Sequence, residues 1–381
     1  MIPYHRSIIT EKEIEAVAET LRSGWLTAGK RVIEFEEAFS KRKEDQTAIA
    51  VSSCTAALFL LLNSLDLEPG DQVITTPFTY VATANTILQN NGKVVFADIN
   101  PETMNINPDA VLAAITARTR AVVCVHLGGN PCEMNKLVEI CQSKGIVLIE
   151  DCAHAIEGTY GGKALGTFGY GSAFSFYPTK NITAAEGGMI VLPKSSNELF
   201  SRLSRLRRHG VDFNAWQRES EKEYHFYDVS EPGFKMNMTD VQASLGIQQL
   251  SHIEEWYKRR KQIADTYNLA FLQIPGVILQ KHEPGGEHAL HLYIIRLDKK
   301  VFGERRNQIL QTIQESGVQI SVNYPPIHLF SWFTEKLRYR KGDFPHAELC
   351  GETCFSLPFY PGLTESEVEK IIAVVSGILQ S

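Results

Sequence analysis

Lys180 lies in the stretch Gly171-Ser-Ala-Phe-Ser-Phe-Tyr-Pro-Thr-Lys180-Asn-Ile-Thr-Ala-Ala-Glu186-Gly-Gly188. Residues 171–177 read as a short strand, and Gly187-Gly188 with Met189-Ile-Val-Leu192 read as a turn into another strand. A lysine between two apolar strands is poorly placed for free solvation. Desolvation disfavours the ammonium, and the neutral amine is the group that condenses with carbonyls. Most lysines are solvated surface charges, so the lysine alone decides little. The acid upstream shifts the balance. Val147-Leu-Ile-Glu150-Asp151 reads as a buried strand ending in a carboxylate, at the edge where open α/β sheets place ligands. A lysine for a carbonyl and an aspartate for a pyridinium nitrogen are what a pyridoxal 5′-phosphate (PLP) site needs.

A third group offers an anion site. The strand at 47–51 feeds at once into Ser52-Ser53-Cys54-Thr55 and an apolar helix at 58–65. Small hydroxyl residues at a helix N-terminus leave amide N–H groups and the positive end of the dipole for a phosphate. Plain Ser/Thr capping is the competing account. No Walker loop and no GxGxxG fingerprint occurs.

The elements carrying these groups alternate. Strands at 72–76, 93–98, 120–125 and 146–150 are separated by helices at about 81–90, 108–117 and 133–144. Short strands between helices predict an α/β fold with a mainly parallel sheet. Ligand contacts are then expected after the strand ends, at Tyr80, His126, Asp151 and His154. Upstream, residues 10–23 predict a helix capped by Thr10, and 31–44 a second. Gly24-Trp25-Leu-Thr27-Ala-Gly29 between them is a turn or a flap over ligand. A helix at 195–208 ends at His209-Gly210, and 211–232, containing Trp216 and Arg218, is a long polar and aromatic excursion. A long helix at about 239–272 predicts the join between a large domain (1–240) and a smaller α+β domain (241–381). The latter carries a strand at 289–297, a helix at 303–316, a strand at 317–322 and a last helix at 364–379. Tyr324-Pro-Pro-Ile-His328 and Ser356-Leu-Pro-Phe-Tyr-Pro361 read as proline-rich turns.

Composition narrows the function class. A net charge of −6 without a long basic run argues against nucleic-acid binding as the main task. The one dense basic patch, Arg202, Arg205, Arg207 and Arg208, reads as a solvated helix face. Seven cysteines without a CxxC pair suggest reduced thiols and a cytoplasmic protein, and no zinc spacing is present. No secretion signal or membrane-spanning run is expected.

The motifs together resemble the DegT/DnrJ/StrS family of PLP-dependent nucleotide-sugar aminotransferases of fold type I. They are Ser23-Gly-Trp-Leu-Thr27, Ser53-Cys-Thr55, Thr76-Pro-Phe-Thr-Tyr80, Glu150-Asp-Cys-Ala-His154, Phe174-Ser-Phe-Tyr-Pro-Thr-Lys180-Asn-Ile-Thr, Glu186-Gly-Gly188 and Gly233-Phe-Lys-Met-Asn-Met-Thr-Asp240. The resemblance covers nearly the whole chain. Asn181-Ile-Thr-Ala-Ala-Glu and Pro232-Gly-Phe-Lys are most similar to the 4-aminotransferases of UDP-4-keto sugars, the type that makes 4-amino-4-deoxy-arabinose for lipopolysaccharide.

The resemblance implies roles. Lys180 would form the Schiff base with PLP and then move the proton during transfer. Asp151 would pair with the pyridine nitrogen. Tyr80 would stack on the ring, and His154 would lie on its other side or at O3′. Cys54, Thr55 and Ser175 would hold the phosphate. Lys235, where many relatives carry Asn, and Asn237, where many carry Arg, would approach the cofactor across a homodimer interface. Tyr177 stands where others often have His, and Met236 where an aromatic is common. Trp25, Thr27, Tyr177, His209, Arg218, Tyr324 and His328 are the expected sugar-nucleotide contacts. L-glutamate would give its amine, leaving 2-oxoglutarate and pyridoxamine phosphate, which would aminate a keto group of the nucleotide-linked sugar. A PLP-dependent sugar dehydratase and a non-catalytic PLP- or sugar-binding regulator are the rival readings on the same fold. Lys180 itself, where the dehydratases carry His, and the lack of a cysteine set for an iron–sulfur cluster argue against the first; the intact Lys180 and Asp151 pair argues against the second.

Overall fold

The computed structural model describes residues 1–212 and 226–381. A seven-stranded sheet contains β1 (Thr47–Val51), β2 (Gln72–Thr75), β3 (Lys93–Phe96), β4 (Thr119–Val125), β5 (Val147–Asp151), β6 (Gly171–Ser175) and β7 (Gly188–Leu192). Their spatial order is β1-β7-β6-β5-β4-β2-β3. Strands β6, β5, β4, β2 and β3 run parallel, and β7 runs antiparallel to both its neighbours.

The sheet is covered on both faces, which is why its strands are apolar almost throughout. Successive side chains point to opposite faces. Ala48 and Ala50 of β1 and Met189 and Val191 of β7 therefore join one core, with Phe35, Phe39, Phe174 and Phe176. Ile49, Val51, Ile190 and Leu192 join the other, with the leucines of α3 (Cys54–Asn63). Helix α3 is thus longer at its start than the apolar run alone indicates, because Ser53 caps it. Helices α4 (Ala82–Gln89), α5 (Pro108–Ala114) and α6 (Met134–Lys144) complete the crossovers.

Before the sheet come α1 (Glu11–Ser23), with Thr10 and Glu13 forming a reciprocal cap, and α2 (Lys30–Arg42). After it, α7 (Asn197–Leu206) leads toward α8 (Asp240–Ser251) and α9 (Ile253–Phe271). The helix expected at 239–272 is therefore two. His252 divides them with near-helical dihedrals; its ring stacks on Trp256 and lies 3.7 Å from the buried Glu13 carboxylate. A further core joins α9, α10 (Arg306–Glu315), α11 (Glu365–Leu379) and a three-stranded antiparallel sheet, β8 (Val277–Leu279), β9 (Tyr293–Leu297) and β10 (Cys354–Leu357).

Two expectations are corrected here. Residues 317–322 form no strand, because Val318 bridges Ile2 and Ser321 bridges Ser356, two different partners. The stretch Ser356–Pro361, read as a proline-rich turn, begins with the last two residues of β10, and Pro358 lies just beyond the strand's end. No helix among the described residues is long and apolar enough to cross a membrane.

Candidate active site

Asp151 ends β5 and is buried. Its carboxylate accepts hydrogen bonds from the Thr83 hydroxyl (2.8 Å) and the Ala153 amide (3.1 Å). Burial raises its pKa, and these donors together with the nearby Lys180 counter that rise. Lys180 follows the neighbouring strand β6. Its amide donates to the Tyr177 carbonyl at 2.8 Å, and the Pro178 carbonyl accepts from Ser7 at 3.0 Å. On the other side the Asn181 amide group donates to Glu157 (2.7 Å) and to the Ala289 carbonyl (2.9 Å). The backbone is therefore held on both flanks of the lysine. Burial pushes the Lys180 ammonium down to about 8, opposed in part by Cys54 and Asp151.

Strand register assembles the third group. Gly188 pairs with Val51 on one side and Ser175 on the other. The end of β1, the start of α3 and the end of β6 thus meet at one glycine. A Cβ there would sit 2.6 Å from the Cys54 nitrogen and against the Ser53 carbonyl. The Ser53 hydroxyl takes the Ala56 amide at 3.0 Å. The first-turn amides of Cys54 and Thr55 have no intrahelical acceptor and remain for an anion.

His154 is buried, and its pKa lies well below the ordinary value because burial disfavours the imidazolium. The Gly128 amide donates to Nδ1 at 3.2 Å, so the proton sits on Nε2 and points to the Tyr324 hydroxyl, also at 3.2 Å. Tyr324 in turn lies 6.2 Å from the Tyr80 ring, which is 62% exposed. Sequence reasoning missed His291. Its ring is 4.3 Å from that of His154, and it lines two small cavities together with Lys180. Asn181 spends both N–H groups elsewhere, so its carbonyl accepts from His291 Nδ1 at 2.9 Å and leaves Nε2 an acceptor. The stretch His288-Ala-Leu-His291 just before a strand is the signal that marks it. Thr83, three residues past Tyr80, was missed too.

The remaining expected residues are more scattered. Residues 236–237 run beside the end of β1: Ser52 donates to the Met236 carbonyl at 2.7 Å, and Asn237 bridges Val51. Lys235 is exposed, its backbone bridging Arg208. Tyr177 is also exposed, on the lysine loop. Trp25 lines a separate cavity of about 380 Å³ with Lys30, Arg31 and Asp240. That loop is clipped to α8, since Asp240 accepts the Gly29, Arg31 and Val32 amides and donates its own amide to the Thr27 carbonyl. His209 is exposed at the end of α7, and its amide bonds Phe234. Arg218 lies outside the described residues.

Two histidines are corrected. His328 is wholly buried against Glu348 (3.0 Å) and Phe344, which leaves it no surface for a sugar. His126 is buried as well. Its Nδ1 accepts the Cys132 amide, so Nε2 carries the proton toward Glu150, which also accepts three amides from 166–169. His126, Glu150 and Cys152 lie close enough to chelate a metal, but the His126 and Glu150 lone pairs are already engaged.

Topology and site chemistry together are those of a PLP-dependent transferase of fold type I. The sequence profile of the DegT/DnrJ/EryC1/StrS aminotransferase family matches residues 7–376, and the chain belongs to that family. It is 41% identical over 380 residues to the spore coat polysaccharide biosynthesis protein SpsC of Bacillus subtilis, covering 100% of this chain and 97% of SpsC. Spr1654 of Streptococcus pneumoniae, assigned as a sugar aminotransferase, superposes in its PMP form with a TM-score of 0.94 at 31% identity, covering 100% of this chain and 99% of that one. PseC of Helicobacter pylori, an aminotransferase of pseudoaminic acid biosynthesis, superposes with a TM-score of 0.92 at 28% identity, with coverage of 100% and 99%.

The cofactor is PLP. The residues fit it. A buried carboxylate raised by burial awaits a cation, an amine is depressed toward neutrality, and a helix N-terminus is free for phosphate. When bound, PLP supplies a carbonyl for amines and a ring that takes up carbanion charge.

Proposed function

We propose that this protein transfers an amine from L-glutamate to a keto group, at C4, of a nucleotide-linked sugar, and so serves cell-surface polysaccharide biosynthesis. A UDP-4-keto sugar is the first candidate. The observation that carries the reading is the desolvated Lys180 amine and the buried Asp151 carboxylate, brought together by two adjacent parallel strands, each drawing the other toward its charged form. Likeness to SpsC and PseC supports the polysaccharide setting.

Lys180 Nζ, held near pH 8, takes and gives a proton readily at neutral pH and is the acid–base group. Asp151 holds the proton of the ring nitrogen; Thr83 and Ala153 fix the carboxylate in place. The Cys54 and Thr55 amides with Ser175 receive the phosphate. His154, neutral and of fixed tautomer, orders Tyr324 beside Tyr80. Tyr80, Tyr177 and Lys235 stand exposed around this group, which supports a homodimer whose partner closes the site.

The test is spectroscopic. L-glutamate should bleach the visible band of the PLP-loaded protein, and one UDP-4-keto sugar should restore it. Bleaching restored only by a 3-keto or dTDP-linked sugar would sink the substrate assignment. Bleaching by L-glutamine but not glutamate would overturn the donor alone; no bleaching by either would sink the aminotransfer reading and favour a regulator.

A further inference from the structure

Behind the lysine loop lies a cavity of about 20 Å³, bordered by Lys180, Asn181, Arg6, Arg260, His291 and Tyr360. Arg260 and Tyr360 are each about 1% exposed. Among the described residues, Arg260 Nε and Nη1 and the Tyr360 hydroxyl have no hydrogen-bond partner. Arg260 Nη2 is already bonded to Glu157 Oε1, and Glu157 Oε2 accepts from Asn181, the residue next to the lysine. Each Glu157 oxygen thus already accepts one charged or amide donor. No acidic side chain among the described residues borders the cavity, whereas Arg6, Lys180 and Arg260 all do. Arg6 is drawn outward by Glu367 at 3.6 Å.

We infer that Arg260 and Tyr360 form the subsite for a carboxylate of the amino donor. The inference rests on the aminotransferase reading above and adds where the donor's charge is held. Arg260 keeps free donors at Nε and at Nη1, on opposite sides of its guanidinium, and the Tyr360 phenol supplies a further donor, so an anionic oxygen in the cavity meets a charged N–H and an O–H. The volume suits one or two oxygen atoms, so it takes the tip of a small acid and excludes a sugar ring or nucleotide. The chain Arg260–Glu157–Asn181 couples the subsite to the backbone of Lys180. Donor binding then registers directly at the residue that moves the proton.

The binding probe is glutarate, a dicarboxylate without an amine, titrated calorimetrically into apoprotein. Wild type should bind it, and Arg260→Lys and Tyr360→Phe should each weaken it about tenfold or more, the loss of one hydrogen bond to a charged group. Tyr360→Phe and Arg6→Gln carry the test if the Arg260 variant does not fold. In the PLP-loaded protein the same variants should raise the glutamate concentration for half-bleaching by the same factor. The sugar concentration for recovery should not move. Glutarate affinity and half-bleaching unchanged in the variants overturn the subsite. Chloride binding as tightly as glutarate overturns it in favour of a halide site. Absent bleaching alongside Arg260-dependent glutarate binding would instead fault the aminotransfer reading and leave a carboxylate site.

Discussion

Replacing Lys180 by Met should stabilise the apoprotein while removing its chemistry. The lysine titrates near 10.5 in the unfolded chain and near 8 in the folded one. Because the folded value is lowered, the unfolded state binds more protons between these values. Stability therefore rises with pH across that window, and below pH 8 the full penalty stands. Integration gives a penalty of about 3 kcal/mol at pH 7 and about 1.4 kcal/mol at pH 9.5. The attraction of Asp151 is already contained in the folded value. Methionine has nearly the shape of a neutral lysine and no proton to lose. Lys180→Met should then unfold at higher urea than the parent, by about 2–3 kcal/mol at pH 7, with the gap roughly halved at pH 9.5. Urea titrations of both apoproteins at the two pH values measure it. Equal stability at pH 7, or a gap that does not shrink, would refute the claim that desolvation lowers the pKa of this amine.

Three further outcomes follow from the site. Thr83→Val deletes a hydrogen bond to the Asp151 carboxylate and should weaken PLP binding about tenfold or more, read by fluorescence titration of apoprotein. Gly188→Ala drives a methyl into the Ser53–Cys54 backbone. It should abolish phosphate anchoring, so pyridoxal without phosphate and PLP would bind with similar affinity. His154, His288 and His291 are all held neutral by burial. Each protonates near pH 6.5 only when unfolded, so stability should fall as pH drops through about 6.5, and urea midpoints at pH 7.5 and 5.5 should show it.

Local pattern was enough for the alternating strands and helices, because a strand buried on both faces must be apolar and a crossover helix needs its own length of chain. It was enough also to place Asp151 at the end of a buried strand and Lys180 on the connection that follows the neighbouring strand. It failed where partners are distant in sequence. The end of β10 looked like part of a turn because its pairing with β9 lies some sixty residues away. His328 and His126 looked like ligands because a histidine in a loop has the same letter whether it faces a cavity or a buried glutamate.

The sequence by itself determined which chemical groups are available: an amine, a carboxylate, small residues at a helix start, and a mainly parallel sheet to carry them. Only the tertiary structure decided their states and companions. Burial sets the Lys180 amine near pH 8. Cross-strand register puts Val51 and Ser175 on either side of Gly188. A network from Arg260 through Glu157 and Asn181 to His291 fixes a tautomer beside the lysine. The physical reason is the same in each case. Desolvation and hydrogen-bond geometry depend on which atoms surround a group, and those atoms come from segments that only folding brings together.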